Sequence, residues 1–208
     1  MRPRIKICGM TNKRDAAKAV DLGVDAVGFI LYSKSPRYIN PQDAIEIAKA
    51  LPPFIHRVVV VVNMSLESIT ELDKSGSFDV IQLHGDEQPS YCKQLASQTS
   101  SHLVKALGLP GKEGRSLHEY EIDAFLLDKS SAKYGGTGQV FNWDLAKAFM
   151  AQTDKPCILA GGLSCLNIKK AISEVQPYAV DVCSGVELEP GLKDHNKMKE
   201  FVEICQQS

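Results

Sequence analysis

The chain has 208 residues, of which 44% are hydrophobic, and 24 basic residues nearly balance 25 acidic ones. This length suffices for one sizeable core and lies near the lower end for a β/α barrel, which typically has about 250 residues. The balanced charge gives no electrostatic case for nucleic acid as a partner, and no run of about 18 apolar residues predicts a membrane span.

Cysteine spacing and the amino terminus bear on the cellular setting. The six cysteines include no C-x-x-C pair and no spacing typical of a metal site, which predicts reduced thiols and no bound metal. Met1 leads almost directly into a strand pattern, without an apolar signal segment. We therefore expect a cytoplasmic protein.

Strands alternate with helices along the whole chain. Apolar runs predict strands at 4–8, 25–30, 57–62, 79–83, 102–106, 124–128, 156–160 and 179–183. Amphipathic stretches predict helices at 12–22, 41–51, 65–75, 88–98, 143–151, 164–175 and 193–206. The glycine-rich connection at 107–123 predicts a fifth helix that is short or irregular. The interval between strands, about 20 to 25 residues, is typical of βα units.

Several helix ends are marked by single residues. Asn12, Ser65 and Ser164 are predicted to begin helices, because short polar side chains cap exposed backbone N–H groups. Gly23 and Gly76 are predicted to end helices in the left-handed conformation that glycine adopts without cost.

Two architectures accommodate eight strands joined by crossovers: an open doubly wound sheet and a closed barrel. An open sheet has one switch-point crevice, so its chemistry comes from two or three adjacent loops. Here polar residues end four strands that are spread round a ring. This favours an α/β fold of the (β/α)8 TIM barrel type, and no linker divides it, so we expect residues 1–208 to form a single domain.

The polar residues at strand ends predict one site. They are Cys8, His84, Asp128 and Cys183. Because side chains alternate faces along a strand, three more polar residues share these inward faces: Lys6, Gln82 and Asp181. Enzymes with barrels of this type form their active sites at the carboxyl ends of the strands, so these groups should surround one opening.

Three glycine-bearing loops follow the last three strands. In such barrels a phosphate often binds the loops after strands seven and eight, where glycine lets backbone N–H groups approach the anion. The candidate phosphate-binding residues are Gly136, Gly161, Gly162, Ser184 and Gly185. Tight turns alone would also explain the glycines. The pattern is neither G-x-G-x-x-G nor a P-loop, so dinucleotide and nucleoside triphosphate binding have no support.

Several motifs together resemble one enzyme family. They are Lys6-Ile-Cys-Gly-Met-Thr11, Ser35-Pro-Arg37, Gln82-Leu-His-Gly85, Leu127-Asp128, Gly135-Gly-Thr-Gly138, Leu159-Ala-Gly-Gly162 and Asp181-Val-Cys-Ser-Gly-Val-Glu187. In this order, over nearly the whole chain, they resemble phosphoribosylanthranilate isomerase. The chain departs from the family at Cys183, where serine is usual.

The resemblance implies an Amadori rearrangement in tryptophan biosynthesis. An aminoaldose, N-(5-phosphoribosyl)anthranilate, would become the aminoketose 1-(2-carboxyphenylamino)-1-deoxyribulose 5-phosphate. An acid opens the furanose ring to a Schiff base, and a base then removes the proton from C2. The protonated imine is the electron sink, so no cofactor or metal is implied.

The resemblance also implies roles for single residues. Cys8 is the general base, which requires a thiol pKa below about 8.5, and Asp128 is the general acid. Arg37 binds the anthranilate carboxylate with its planar fork of donors. Gln82 and His84 are expected to line the pocket.

Two residues near the closing strand carry separate expectations. Asp181 is expected to pair with Lys6 or to order the sugar hydroxyls. Cys183 shares its inward face and is expected to approach Cys8, with a disulfide disfavoured in a reducing setting.

Plainer interpretations stay open for four of these residues. Cys8 would be a small buried apolar residue, Asp128 a capping or ion-paired carboxylate, Arg37 a solvated surface arginine, and His84 a hydrogen-bonded core histidine. For the whole chain, the alternatives are a related phosphosugar barrel enzyme and a catalytically silent phosphate-ligand binding protein. The expected partner is a small phosphosugar, and the expected assembly is a monomer or homodimer.

Overall fold

The computed structural model describes residues 2–110, 117–129 and 142–208. Eight parallel strands close into a barrel in chain order, with β1 beside β8. They are β1 (Arg4–Ile7), β2 (Ala26–Ile30), β3 (His56–Val61), β4 (Val80–Leu83), β5 (His102–Leu109), β6 (Ala124–Lys129), β7 (Cys157–Leu159) and β8 (Ala179–Val182). The predicted barrel is confirmed, and the open doubly wound sheet is wrong.

Helices surround the barrel in the described part of the chain. They are α1 (Lys13–Asp21), α2 (Pro41–Ala50), α3 (Leu66–Lys74), α4 (Pro89–Ala96), α5 (Trp143–Met150), α6 (Ile168–Val175) and α7 (His195–Gln206). Between β5 and β6 the described residues contain a single 3-10 turn, Leu117–Glu119, in agreement with the predicted short or irregular fifth helix. No helix within 2–110, 117–129 or 142–208 has the length and hydropathy to span a membrane.

Alternation along each strand separates two environments. On β1, Ile5 and Ile7 pack with helix residues such as Ala16 in the core between barrel and helices. Cys8 has the opposite parity and packs with Val58 inside the barrel. Each fully buried isoleucine contributes about 1.5–3 kcal/mol through the hydrophobic effect, so a one-residue shift of register would be costly. This parity directs the polar strand ends inward.

The predicted helix ends are confirmed with one exception. Asn12 and Ser65 accept hydrogen bonds from the backbone N–H three residues on, and Gly23 and Gly76 have positive φ angles of 77° and 61°. The helix predicted to begin near Ser164 instead begins at Ile168.

Residues 164–167 belong to the loop after β7. The Ser164 N–H donates to the Asn167 side chain at 2.9 Å, and Ser164 pairs with Gly185 in an isolated parallel bridge. The Ser164 backbone therefore joins two loops, and the helix begins after Asn167.

A small hairpin follows the barrel and was not predicted. Its strands, β9 (Glu187–Glu189) and β10 (Leu192–Lys193), are antiparallel and joined through Gly191, which has φ of 87°. The helix predicted at 193–206 begins two residues later, at His195, after the Asp194 cap. Strands this short carry no recognisable period in the sequence, yet the hairpin brings Glu187 and Lys193 to the mouth of the barrel.

Candidate active site

A cavity of about 360 Å³ opens at the carboxyl ends of the strands. Nine residues predicted for the site line it: Cys8, Arg37, Gln82, His84, Asp128, Asp181, Gly161, Gly162 and Ser184. Cys183, parts of the loop at 32–37 and several apolar residues such as Val60 also line it. Gly136, also predicted, lies outside the described residues. Strand parity thus brings the predicted side chains to one opening.

Cys8 lies beside a buried ion pair. Lys6 Nζ contacts Asp181 Oδ1 at 2.9 Å, with both side chains less than a tenth exposed. Burial raises the pKa of Asp181 to about 7. Burial alone would lower the pKa of Lys6, but the charges of Asp181 and Cys8 raise it above its ordinary value. Lys6 therefore stays positively charged next to the thiol.

The environment of Cys8 favours its thiolate. A hydrogen bond with Cys183 and the positive charges of Lys6 and Lys193 hold the pKa of Cys8 well below its ordinary value, against the opposing effect of burial. The thiol of Cys183 has the opposite shift, since the hydrogen bond to Cys8 and burial raise its pKa. The two thiols in this corner of the cavity thus have pKa values shifted in opposite directions.

Asp128 lies across the cavity from Cys8, at the end of β6. Its Oδ1 accepts the Lys129 backbone N–H at 2.7 Å, and its Oδ2 lies 3.4 Å from His84 Nε2. His84 Nδ1 lies 2.9 Å from the Gln82 amide. Because an amide N–H₂ only donates, His84 Nδ1 accepts this bond, which leaves a proton on Nε2 toward Asp128. His84 is thus a hydrogen-bonded group of the cavity wall.

Arg37 is 7% exposed, so the surface interpretation is wrong. Its Nε and Nη2 groups donate to the Glu187 carboxylate at 2.8–3.0 Å. Lys193 Nζ donates to the same carboxylate at 2.9 Å. Burial alone would raise the pKa of Glu187, but the two cations hold it below its ordinary value. Nη1 takes no part in the pair, so the guanidinium keeps a donor group for the cavity.

Sequence reasoning missed the role of Glu187 and Lys193. Glu187 was within a quoted motif but had no assigned partner, and Lys193 was assigned to a helix. The hairpin is held by Asp15, whose Oδ2 accepts the Lys193 N–H at 2.9 Å and whose Oδ1 contacts His195 Nε2 at 2.8 Å. The first turn of α1 therefore fixes the charged groups behind Arg37.

The loops after β7 and β8 are in direct contact. Gly161 and Gly162 have φ angles of 82° and 74°, which side chains rarely adopt. Gly185 does not line the cavity. A Cβ atom there would lie 2.0 Å from the Leu163 carbonyl oxygen, so only glycine allows this approach. The glycines thus hold two backbone segments together at the cavity rim, beside Ser184.

A further buried ion pair, also missed from the sequence, supports the loop after β4. Lys105 Nζ donates to Glu87 Oε2 at 2.8 Å and to the carbonyl oxygens of Leu83 and Gly85 at 3.2 and 2.7 Å. Glu87 also accepts the Gly85 N–H at 3.0 Å. The sequence signal for this buried pair was a lysine within an otherwise apolar strand. The network fixes the backbone on both sides of His84.

The described residues contain no group of three or more His, Cys, Asp or Glu side chains that could hold a metal ion. The arrangement offers a thiol with a lowered pKa, a carboxyl group, a guanidinium and glycine-rich backbone around one cavity. Such a set suits proton transfer on an anionic substrate.

Comparison with known proteins agrees with this chemistry. A family model described as N-(5'phosphoribosyl)anthranilate (PRA) isomerase matches residues 5–204. The N-(5'-phosphoribosyl)anthranilate isomerase of Thermotoga neapolitana is 46% identical over 200 residues, 96% of either chain.

Two solved structures are also similar. Phosphoribosyl anthranilate isomerase from Thermotoga maritima has a TM-score of 0.90 at 40% identity, over 99% of this chain and 100% of that one. A complex of phosphoribosyl anthranilate isomerase with reduced 1-(o-carboxyphenylamino)-1-deoxyribulose 5-phosphate has a TM-score of 0.82 at 36% identity, with the same coverage. The chain therefore belongs to the phosphoribosylanthranilate isomerase family of tryptophan biosynthesis.

Proposed function

We propose that the chain converts N-(5-phosphoribosyl)anthranilate into 1-(2-carboxyphenylamino)-1-deoxyribulose 5-phosphate, with Cys8 as general base and Asp128 as general acid. The observation that carries the proposal is that both side chains line one cavity at the carboxyl ends of β1 and β6. A complex of a family member with the reduced form of this product supports the choice of ligand.

Ring opening is the first step. Asp128 gives a proton to the furanose oxygen, and the bond between that oxygen and C1 breaks as the nitrogen lone pair forms the protonated imine. The carboxyl group is positioned by the Lys129 N–H, and His84 Nε2 lies 3.4 Å away.

Proton removal from C2 is the second step. The Cys8 thiolate takes this proton, and the electrons of the C–H bond form a C1–C2 double bond while the imine nitrogen accepts the displaced pair. The resulting enolamine then tautomerises to the ketone. Lys6 and Lys193 favour the anionic thiolate before transfer, since both lower the pKa of Cys8.

Substrate binding uses the rest of the rim. Arg37 pairs with the anthranilate carboxylate, and Asp181 orders the sugar hydroxyls. The phosphate binds backbone N–H groups of the loops after β7 and β8, at Gly161, Gly162 and Ser184, and Gly185, predicted with them, supports this site by keeping the two loops in contact. Gly136 belongs to the same proposal from the sequence.

Activity of near-isosteric variants tests the two roles. Loss of substrate fluorescence on mixing with enzyme reports turnover. We expect Cys8→Ser and Asp128→Asn each to lower kcat by about 10²–10⁴-fold, the range for a general acid or base, while a reduced product analogue still binds. Cys165→Ser, outside the cavity lining, is the matched control and should retain full activity.

The outcomes separate the remaining alternatives. Unchanged turnover in either variant would remove that residue's role. A wild-type protein that binds the analogue but never consumes substrate would support a silent binding protein instead. Family membership leaves the related phosphosugar barrel enzymes without support.

The same proposal covers the setting of the enzyme. The chain works without cofactor as one barrel domain, residues 1–208, in the cytoplasm, as a monomer or homodimer. All six cysteines are free. Light scattering distinguishes one chain from two.

A further inference from the structure

The closure of the barrel brings two cysteines side by side. β1 and β8 pair in register, with Lys6 opposite Asp181 and Ile7 opposite Val182. The next positions are Cys8 and Cys183, and the Cys8 N–H donates to the Val182 carbonyl at 2.8 Å. Neighbouring strands lie about 4.8 Å apart and side chains at equal height share a face, so both sulfur atoms enter the cavity together.

The two sulfurs are closely packed by glycines. A Cβ atom at Gly28 would lie 2.8 Å from Cys8 Sγ, and one at Gly9 would lie 2.9 Å from Cys183 Sγ. Cys183 packs against the small apolar cluster that contains Cys8 and Val58. Because Gly9 and Gly28 have no side chains, there is room for two adjacent sulfur atoms.

Charged groups surround the pair from every adjoining element. The cations are Lys6 on β1, Arg37 after β2 and Lys193 on β10; the carboxylates are Asp181 on β8 and Glu187 on β9, with His84 and Asp128 across the cavity. Lys193 Nζ donates to Cys183 Sγ at 3.8 Å, and Glu187 Oε1, at the same distance, is a competing acceptor for the Cys183 S–H group that already accepts from Arg37 and Lys193. Both carboxylates on β8 and β9 are already ion-paired, so the site favours one extra negative charge on sulfur.

We propose that Cys183 is a positioning residue whose S–H group donates a hydrogen bond to the Cys8 thiolate and keeps that thiolate populated for proton removal. The proposal rests on the proposed function, since it explains how the base is held ready. The opposite shifts of the two thiols, with the pKa of Cys8 lowered and that of Cys183 raised, have the directions that such a bond produces.

The test is the ionisation of Cys8 without substrate. The rate of its alkylation by iodoacetamide, located by mass spectrometry, is followed against pH in wild type, Cys183→Ala and Cys183→Ser. Cys183→Ala should raise the apparent pKa of Cys8 by about 1 unit, as expected for loss of one weak donor to a charged group. Cys183→Ser keeps a donor and should stay close to wild type.

Two controls keep the result interpretable. Cys165→Ser, outside the cavity lining, should leave the Cys8 titration unchanged. If Cys183→Ala lowers the thermal stability of the protein, Cys183→Val replaces it, because valine has no donor but fills a similar volume. An unmoved titration in both non-donor variants overturns the proposal, and so does an equal shift in Cys183→Ser.

Turnover provides the link to catalysis. The acid limb of kcat/KM should move with the alkylation profile in Cys183→Ala and return in Cys183→Ser. If the alkylation profile shifts but the activity profile does not, the hydrogen bond between Cys183 and Cys8 is supported and Cys8 is not the base. Failure of the proposed function can thus be told apart from failure of this inference.

Discussion

At the scale of residues, the site depends on charges that are fixed before substrate arrives. Arg37 is held by Glu187, and Glu187 by Lys193, so the guanidinium has one orientation without ligand. A fork that is already ordered loses less freedom on binding a carboxylate than a solvated arginine would.

Replacing this arginine tests its role in recognition. We expect Arg37→Lys to raise KM about 10-fold or more, because hydrogen bonds to charged groups contribute about 1.5–3 kcal/mol and lysine lacks the fork. The matched control is Arg57→Lys, which alters a bidentate pair with Asp79 outside the cavity lining and should leave KM unchanged. Steady-state kinetics provide the comparison, and an unchanged KM in Arg37→Lys would contradict the carboxylate role.

The sequence predicted which side chains line the site better than it predicted which residues they bond to. Parity along β1, β4, β6 and β8 was enough to predict that Cys8, His84, Asp128 and Asp181 reach one opening, because alternation is a local property of a strand. The bond from Arg37 to Glu187 joins residues 150 positions apart. Such a pair depends on how a short hairpin folds back, which no local pattern records.

At the scale of elements, loop contacts determine the shape of the rim. Gly185 has no room for a side chain because the Leu163 carbonyl oxygen occupies the position of a Cβ atom. The sequence analysis explained these glycines by the close approach of a phosphate to the backbone. That explanation was incomplete, because the close neighbour of Gly185 is the loop after β7.

The contact between these loops can be tested with a pair of alanine variants. Gly185→Ala should separate the loops after β7 and β8, raise KM for the phosphosugar and lower stability, because the neighbouring atom is backbone. Gly76→Ala is the contrast: its φ is 61° but nothing lies within 4 Å, so it adds backbone strain without a clash. We expect it to lower stability by about 1–2 kcal/mol and leave KM unchanged. Equal KM values in both variants would contradict this account.

The loop after β4 depends on the ion pair between Lys105 and Glu87. Both side chains are at most 2% exposed. We expect Lys105→Met to destabilise the fold by about 3–5 kcal/mol, because removing one partner leaves a buried charge unpaired. Urea unfolding measures this change.

An exposed ion pair provides the control for that variant. Lys93→Met breaks the contact between Lys93 and Glu121, whose side chains are both more than half exposed. This change should lower the free energy of unfolding only slightly. A similar cost for the two variants would show that burial of the Lys105 pair is unimportant.

At the scale of the whole molecule, buried and hydrogen-bonded carboxylates determine how stability depends on pH. Burial alone would raise their pKa values, but hydrogen bonds and cations lower the pKa below the ordinary 3.8 for Asp15, Asp73 and Asp79 and below the ordinary 4.5 for Glu187. Groups with a depressed pKa stabilise the fold above their ordinary value and lose that contribution as pH falls through the folded value.

The contribution of Asp181 to stability depends on pH in the opposite direction. Its pKa of about 7 lies above the ordinary 3.8, so it takes up a proton in the folded state first and favours the fold as pH falls from about 7 to 4. The four depressed groups should outweigh it below about pH 4.5. Urea unfolding at a series of pH values should therefore show a steep loss of stability there, and a constant free energy of unfolding from pH 5 to 3 would contradict the assignment.

The architecture was the most predictable level. Eight apolar runs separated by amphipathic stretches allowed both an open sheet and a closed barrel. The polar strand ends spread round a ring favoured the barrel, because an open sheet gathers its chemistry at one crevice. The hairpin of β9 and β10 escaped because its strands have only three and two residues.

The central claim is that a thiolate and a carboxyl group act on one substrate from opposite sides of the cavity. The most direct measurement is a crystal structure of this chain with the reduced product analogue. We expect Cys8 Sγ beside C2 and the Asp128 carboxyl beside the oxygen on C4, each within about 3.5 Å, the reach required for proton transfer. An analogue bound with C2 remote from Cys8, or with Asp128 turned away from the sugar, would contradict the account.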